Sequence, residues 1–258
     1  MPVPAEYAHY PSLHGRSVFV TGGATGIGAE LVAQFAAQGA RVAFVDIDAD
    51  AGAALVRKVA AQGDPTPRFE ACDVRDVEAL RTRIADLAVE LGPFRVLVNN
   101  AANDDRHTVD EVTPEYWDEK MAVNLRPHFF SMQAVAPMMR DAGGGSIVNF
   151  GSITWRGGFG GLPAYATAKA AVEGLTRAMA RDLGPDGIRV NAVVPGWIMT
   201  ERQLTTWVTP EAEERISGSQ CLKDKLVPAD VARLVLWLAA DDSRMCTSQM
   251  WVIDGGWI

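Results

Sequence analysis

Only three of the 258 residues are cysteine: Cys72, Cys221 and Cys246. They lack the spacing of a metal site and do not form an even-numbered disulfide set, so the sequence predicts no metal and a reducing, cytoplasmic setting. Long apolar runs are missing too. None approaches the ~20 residues needed to span a bilayer, and Met1 to Arg16 has no basic segment followed by an apolar run, so neither a membrane span nor a secretory leader is expected. Basic residues are outnumbered, 24 Lys and Arg against 32 Asp and Glu, for a net charge of −8. That balance argues against nucleic acid or an anionic membrane as partner. Linkers, repeats and low-complexity stretches are absent as well, so residues 1–258 read as one domain.

What the chain does have is an alternation of short apolar runs with helix-patterned segments. Residues 17–20, 41–46, 68–71, 95–98, 146–150, 188–194 and 249–254 read as strands. Helical segments between them imply parallel pairing in an α/β, doubly wound sheet. One helix is expected from a Thr113 cap and Pro114, through Asn124, to about Arg140. The polar, poorly patterned segment 201–225 reads as a lid over a site.

The chemistry sits at the ends of the apolar runs. Thr21-Gly22-Gly23-Ala24-Thr25-Gly26-Ile27-Gly28 follows the first strand and opens a helix. Glycines there allow a tight turn, and the helix N-terminus offers unpaired N–H groups to a pyrophosphate. Strand two ends in Asp46, which can accept hydrogen bonds from both adenosine ribose hydroxyls and repels a 2′-phosphate; this favours NAD over NADP. Asp73, after strand three, either receives an adenine amino group or caps the helix that begins near Val77. Asn99-Asn100-Ala101-Ala102 closes strand four with small residues that leave room for a cofactor. Ser152 ends the fifth strand region, thirteen residues before Tyr165. Tyr165 and Lys169 are four apart, hence on one helix face, where a protonated Lys favours a phenolate and so brings a Tyr base, ordinarily with a pKa near 10, toward neutral pH.

Taken together and in this order, TGGATGIG, Asp46, CDV, NNAA, Asn124, Ser152, YATAK and PGWIMT resemble the short-chain dehydrogenase/reductase family from about residue 15 to the end. The resemblance implies a three-layer Rossmann fold. It implies Tyr165 as base, Lys169 as the residue that lowers its pKa and holds the nicotinamide ribose, Ser152 as the group orienting the substrate oxygen, and Asn124 as the holder of a relay water. Along the dinucleotide it implies Gly22, Thr25, Gly26, Ile27 and Gly28 at the first turn. Asp46, Ile47, Asp73, Val74 and Asn100 follow toward the adenosine and the sheet edge. Pro195, Gly196, Ile198 and Thr200, with Tyr165 and Lys169, complete the nicotinamide end. Family members usually read Asn-Asn-Ala-Gly; Ala102 is the departure here. The family is commonly tetrameric, so a homotetramer is expected.

Two further stretches, Asn103-Asp104-Asp105-Arg106-His107 and Thr200-Glu201-Arg202-Gln203, resemble the bacterial pentose 1-dehydrogenases that act on D-xylose and L-arabinose. A sugar needs paired donors and acceptors for its hydroxyls, which Asp104, Arg106 and Gln203 supply, and an apolar ring for its C–H face, which Trp197 supplies. Ser152 and Tyr165 would hold the reacting oxygen. The expected activity is thus NAD-dependent oxidation of a pentose at its anomeric carbon to the aldonolactone, with L-arabinose favoured over D-xylose because Trp197 follows Pro195-Gly196. The alternatives are a D-xylose enzyme, another sugar or secondary-alcohol dehydrogenase, or a dinucleotide-binding protein without catalysis. In the bland alternative, 104–107 is a solvated charged loop.

Overall fold

A computed structural model describes residues 7–258; Met1–Glu6, on which part of the reading of the chain's start rests, lie outside it. Seven strands form one sheet in the order β3-β2-β1-β4-β5-β6-β7. They are β1 (Ser17–Thr21), β2 (Arg41–Asp46), β3 (Arg68–Ala71), β4 (Val96–Asn99), β5 (Gly145–Phe150), β6 (Ile188–Pro195) and β7 (Met250–Ile253). Every pairing is parallel.

Side chains on the strands alternate between two cores, as the two-residue period of a strand requires. Val18, Val20, Val42 and Phe44 face one side, among α1 (Gly26–Ala37), α2 (Ala49–Ala61) and α9 (Pro228–Ala239). Phe19, Ala43, Val45 and Leu97 face the other, against α3 (Val77–Leu91), α5 (Arg126–Asp141) and α6 (Pro163–Leu183). Both faces are covered, which is the usual condition of an all-parallel sheet. Among the described residues no helix is long and apolar enough to cross a membrane.

Strand order reverses between β1 and β4, and the crevice beyond their carboxyl ends is where ligands of such sheets bind. Beneath it a buried polar chain ties the layers together. Asn99 Nδ2 donates to Asn149 Oδ1 (2.9 Å), Asn149 Nδ2 donates to Thr176 Oγ1 (3.0 Å), and Ser131 Oγ donates to Asn99 Oδ1 (2.6 Å).

Three local expectations are corrected. The helix expected from Pro114 to about Arg140 is two helices, α4 (Pro114–Asn124) and α5, broken at Leu125 with φ −130°. Pro127 causes the break: it has no N–H for the carbonyl of Val123, and its ring disfavours a helical residue before it. The α3 cap is Asp76, which accepts from Ala79 N at 3.0 Å, so Asp73 does not serve as that cap. Segment 201–225 is also less irregular than its composition suggests, carrying α7 (Glu201–Thr206) and α8 (Pro210–Ser219), each capped by a Thr.

Candidate active site

The glycine turn packs against the end of β4. A Cβ on Gly22, which has φ +65°, would lie 2.7 Å from Ala101 Cα, and one on Gly28 would lie 1.9 Å from Gly22 O. Asn100 Nδ2 closes the turn by donating to Gly22 O at 2.7 Å. Thr25 precedes α1 in an extended conformation and makes no side-chain hydrogen bond to it, leaving the first N–H groups of a twelve-residue helix directed into the crevice.

Asp46 is fixed at the end of β2 by two backbone donors, Ala24 N to Oδ2 (2.9 Å) and Asp48 N to Oδ1 (3.1 Å). Each oxygen keeps a further lone pair for a diol. A cleft of about 520 Å³ runs from Asp46 and Ile47 past Asp73, Val74, Gly28 and Asn100. Arg75 also lines it but is engaged by Asp73 (2.6 Å) and Glu119 (2.9 Å). The hydrogen bonds from Arg75 hold Asp73 below the usual carboxylate range. These features fit a dinucleotide: backbone donors for the phosphates and a preset carboxylate for a ribose.

A second cleft of about 470 Å³ adjoins the first and holds Ser152, Tyr165 and Lys169 together. Lys169 is buried and donates to Phe150 O at 2.8 Å, with its ammonium 5.6 Å from the Tyr165 ring centroid. Burial lowers its pKa to about 7. Tyr165 moves the opposite way. Burial, and after it the carboxylate of Asp104, raise it well above the ordinary phenol range, against the Ser152 hydrogen bond and the charge of Arg106. Desolvation of the phenol thus outweighs the Ser152 hydrogen bond and the Arg106 charge.

Asn124 is fully buried, and its amide is committed to the neighbouring backbone. Oδ1 accepts from Asn103 N (2.9 Å), and Nδ2 donates to Asn103 O and Lys120 O (both 3.1 Å). At the helix break His128 N donates to Leu125 O (3.1 Å), so a water could be held at Asn124 only by its main-chain carbonyl. His128 itself is buried with both ring nitrogens unpartnered, and burial keeps its pKa well below the ordinary value. Nothing in the sequence pattern marked it.

Within the loop 103–107, Asn103 and His107 are held by the protein: Lys120 Nζ donates to Asn103 Oδ1 (2.7 Å), and His107 Nε2 accepts from Ala164 N (3.2 Å). Asp105 is half-exposed and pairs with Arg202 at 2.6 Å. Asp104 and Arg106 turn into the second cleft. There Gln203 Nε2 donates to Asp104 Oδ2 at 2.8 Å, and the Arg106 guanidinium lies 5.6 Å from the Trp197 ring centroid and 5.2 Å from that of Trp207. Pro195, Gly196 and Ile198 line the second cleft, and Thr200 lines both, where the two meet. Among the lining residues not anticipated are Phe159, Arg215 and Trp257. They come from a glycine-flanked loop, a short helix and the chain's end, and only the fold brings them together.

Known proteins agree with this assembly. A family model described as enoyl-(acyl carrier protein) reductase matches residues 22–258. A probable galactose dehydrogenase of Rhizobium meliloti (strain 1021) is 53% identical over 249 residues, 96% of this chain and 97% of that protein. D-xylose 1-dehydrogenase of Caulobacter vibrioides (strain NA1000 / CB15N) is 52% identical over 250 residues, 97% and 98% respectively. Among solved structures, a Serratia marcescens short-chain dehydrogenase/reductase double mutant superposes with a TM-score of 0.88 at 33% identity, covering 95% of this chain and 99% of that one. The chain belongs to the short-chain dehydrogenase/reductase family and is an oxidoreductase.

Proposed function

We propose that the protein is an NAD-dependent aldose 1-dehydrogenase, oxidising a pyranose at C1 to the aldonolactone. The observation that carries this reading is the polar wall of the second cleft. Asp104, Arg106 and Gln203 share one cavity with Ser152, Tyr165 and Lys169. The two relatives named for sugars, galactose and D-xylose, support it. They do not support the lean to L-arabinose drawn from Trp197, and D-xylose or another aldose is the better reading.

In this reading Tyr165 Oη takes the proton of the C1 hydroxyl while Ser152 Oγ holds that oxygen in place. NAD bound along the first cleft would supply the hydride acceptor. Lys169 supplies positive charge beneath the phenol while it is protonated, its pKa standing at about 7, and the Asn124 carbonyl holds a water through which the proton leaves. Asp104 and Gln203 present an acceptor and a donor to adjacent hydroxyls, and Trp197 offers its face to the sugar's C–H groups. A site built on such bonds rejects analogues lacking the hydroxyl, because buried partners are left unpaired.

Asp104→Ala and Arg106→Ala should each lower kcat/KM for the preferred aldose at least about tenfold, the value of one moderate hydrogen bond to a charged group. Steady-state NADH formation measures this. Normal rates in both variants would reduce 104–107 to a solvated loop and remove the sugar reading.

Asp46 should set cofactor choice. A 2′-phosphate beside this carboxylate is repelled in a cleft where charges are poorly screened, so NAD should be used far better than NADP. Asp46→Ala should narrow that gap chiefly by weakening NAD. Equal use of both cofactors by the unaltered protein would show that Asp46 does not face the ribose.

We also propose a homotetramer in a reducing cytoplasm. Supporting the first is β7, a sheet-edge strand with Val252 39% exposed, since an open apolar edge asks for a covering partner. Supporting the second are Cys72, Cys221 and Cys246, all unpaired.

A further inference from the structure

The second cleft has two chemically different walls. One is the polar wall of Asp104, Arg106 and Gln203. The other is aromatic: Phe159 and Trp257 pack with ring centroids 5.4 Å apart, and Trp197 adjoins them in the lining. Arg215 stands in this second wall, its guanidinium 5.5 Å from the Trp197 ring centroid.

This wall is built rather than incidental. Asp254 is buried and accepts Gly256 N at Oδ1 (2.8 Å) and Ile258 N at Oδ2 (2.9 Å), curling the chain's end so that Trp257 reaches Phe159. Gln220, also buried, donates from Nε2 to Asp254 O (3.2 Å), and Leu222 N donates to Gly255 O (2.9 Å). These bonds tie the end of α8, and with it Arg215, to the same tail. Gly255 and Gly256 have φ of +70° and +82°, and a Cβ on Gly255 would lie 2.7 Å from Gln220 Nε2, so the curl depends on glycine.

Arg106, the other cleft guanidinium, has Asp104 beside it at 3.9 Å. Arg215 has no carboxylate within 4.0 Å among the described residues and no hydrogen-bonded partner, although three glutamates, Glu211, Glu213 and Glu214, precede it on α8. It offers five N–H donors to whatever occupies the cleft.

A pyranose has the same two-sided character. One edge carries the hydroxyls of C2, C3 and C4. The opposite edge, C5 and the ring oxygen, is a bare methylene in a pentose and carries a CH₂OH group in a hexose. With the hydroxylated edge on Asp104, Arg106 and Gln203, and C1 at Tyr165, the C5 edge falls on the wall of Phe159, Trp257 and Arg215. A bare methylene leaves Arg215 only the ring oxygen to bind. A hydroxymethyl group gives its oxygen a donor and its carbon an aromatic neighbour. Resting on the aldose reading above, we propose that Arg215 and Trp257 form a subsite for the C5 hydroxymethyl group, and that the preferred substrate is an aldohexose over the pentose lacking that group.

Two natural pairs isolate the group. L-Arabinose is D-galactose without C6, and D-xylose is D-glucose without C6; ring configuration is otherwise the same within each pair. Measured with NAD on the full chain, kcat/KM should favour the hexose about tenfold in the pair whose C4 configuration is accepted, the worth of one hydrogen bond to a charged donor. Arg215→Ala should cut the hexose-to-pentose ratio at least about fivefold, and Arg215→Lys should restore part of it. Because Arg215 is exposed on α8, the fold should survive; melting temperature and NADH binding check that. A wild-type preference for the pentose in the accepted pair, or a ratio unmoved by Arg215→Ala, overturns the subsite while the aldose reading stands. If no aldose of either pair is oxidised, the aldose reading falls and the subsite with it.

Discussion

Tyr165→Phe is expected to lower turnover by about 10²–10⁴-fold, the range of general base catalysis, with NAD binding little changed. The ring sits on α6 one turn before Lys169, and a Phe ring fills the same space. Lys169 stays anchored, because its bond runs to the Phe150 carbonyl and not to the phenol. Only the hydroxyl that meets Ser152 is lost. Steady-state rates, with NADH fluorescence titration for binding, separate the two effects. A Phe variant retaining more than about a tenth of the wild-type rate lies outside that range and removes Tyr165 from the base role.

Gly28→Ala should cripple dinucleotide binding. The new methyl would lie 1.9 Å from Gly22 O and 2.8 Å from Asn100 Nδ2. Neither can rotate aside: one is main chain, and the other donates to Gly22 O (2.7 Å) and Thr21 O (3.2 Å). The turn must open or α1 must withdraw from β1, and both move the helix N-terminus off the phosphates. Overpacking of this kind costs about 1–3 kcal/mol, which corresponds to roughly 5- to 150-fold in affinity when the strain is relieved at the turn. Gly174→Ala is the control. It lies inside α6 with open space around it, and should leave binding intact while gaining up to about 1 kcal/mol of helix stability. Calorimetric titration with NADH reads both variants, and unchanged affinity in Gly28→Ala would place the pyrophosphate elsewhere.

The frame was legible in the sequence because it is local. Buried strands read as apolar runs, and the glycine turn, Asp46 and Ser152 each sit where a strand ends. Other features follow from partners distant in the chain. Pro127 should have marked the break at Leu125, yet the helical pattern on both sides hid it. Asp73 and Asp76 look alike as caps; Arg75, held between Asp73 and Glu119, turns the first toward the crevice. Which of residues 103–107 enter the cleft depends on Lys120 and on α6. The direction of Tyr165 depends on how much solvent the fold removes, which spacing does not give. The Phe159–Trp257 wall exists only because Asp254 and Gln220 fold the tail back.

Hydride loss from C1 of an aldose can be followed directly with isotope. Aldoses carrying deuterium only at C1, D-galactose and D-xylose among them, should be incubated with the full chain and NAD, and the reduced cofactor and the sugar product analysed by mass spectrometry. NADH heavier by one mass unit is expected, in step with appearance of the aldonolactone. Unlabelled NADH, or a product that keeps its deuterium, would contradict it.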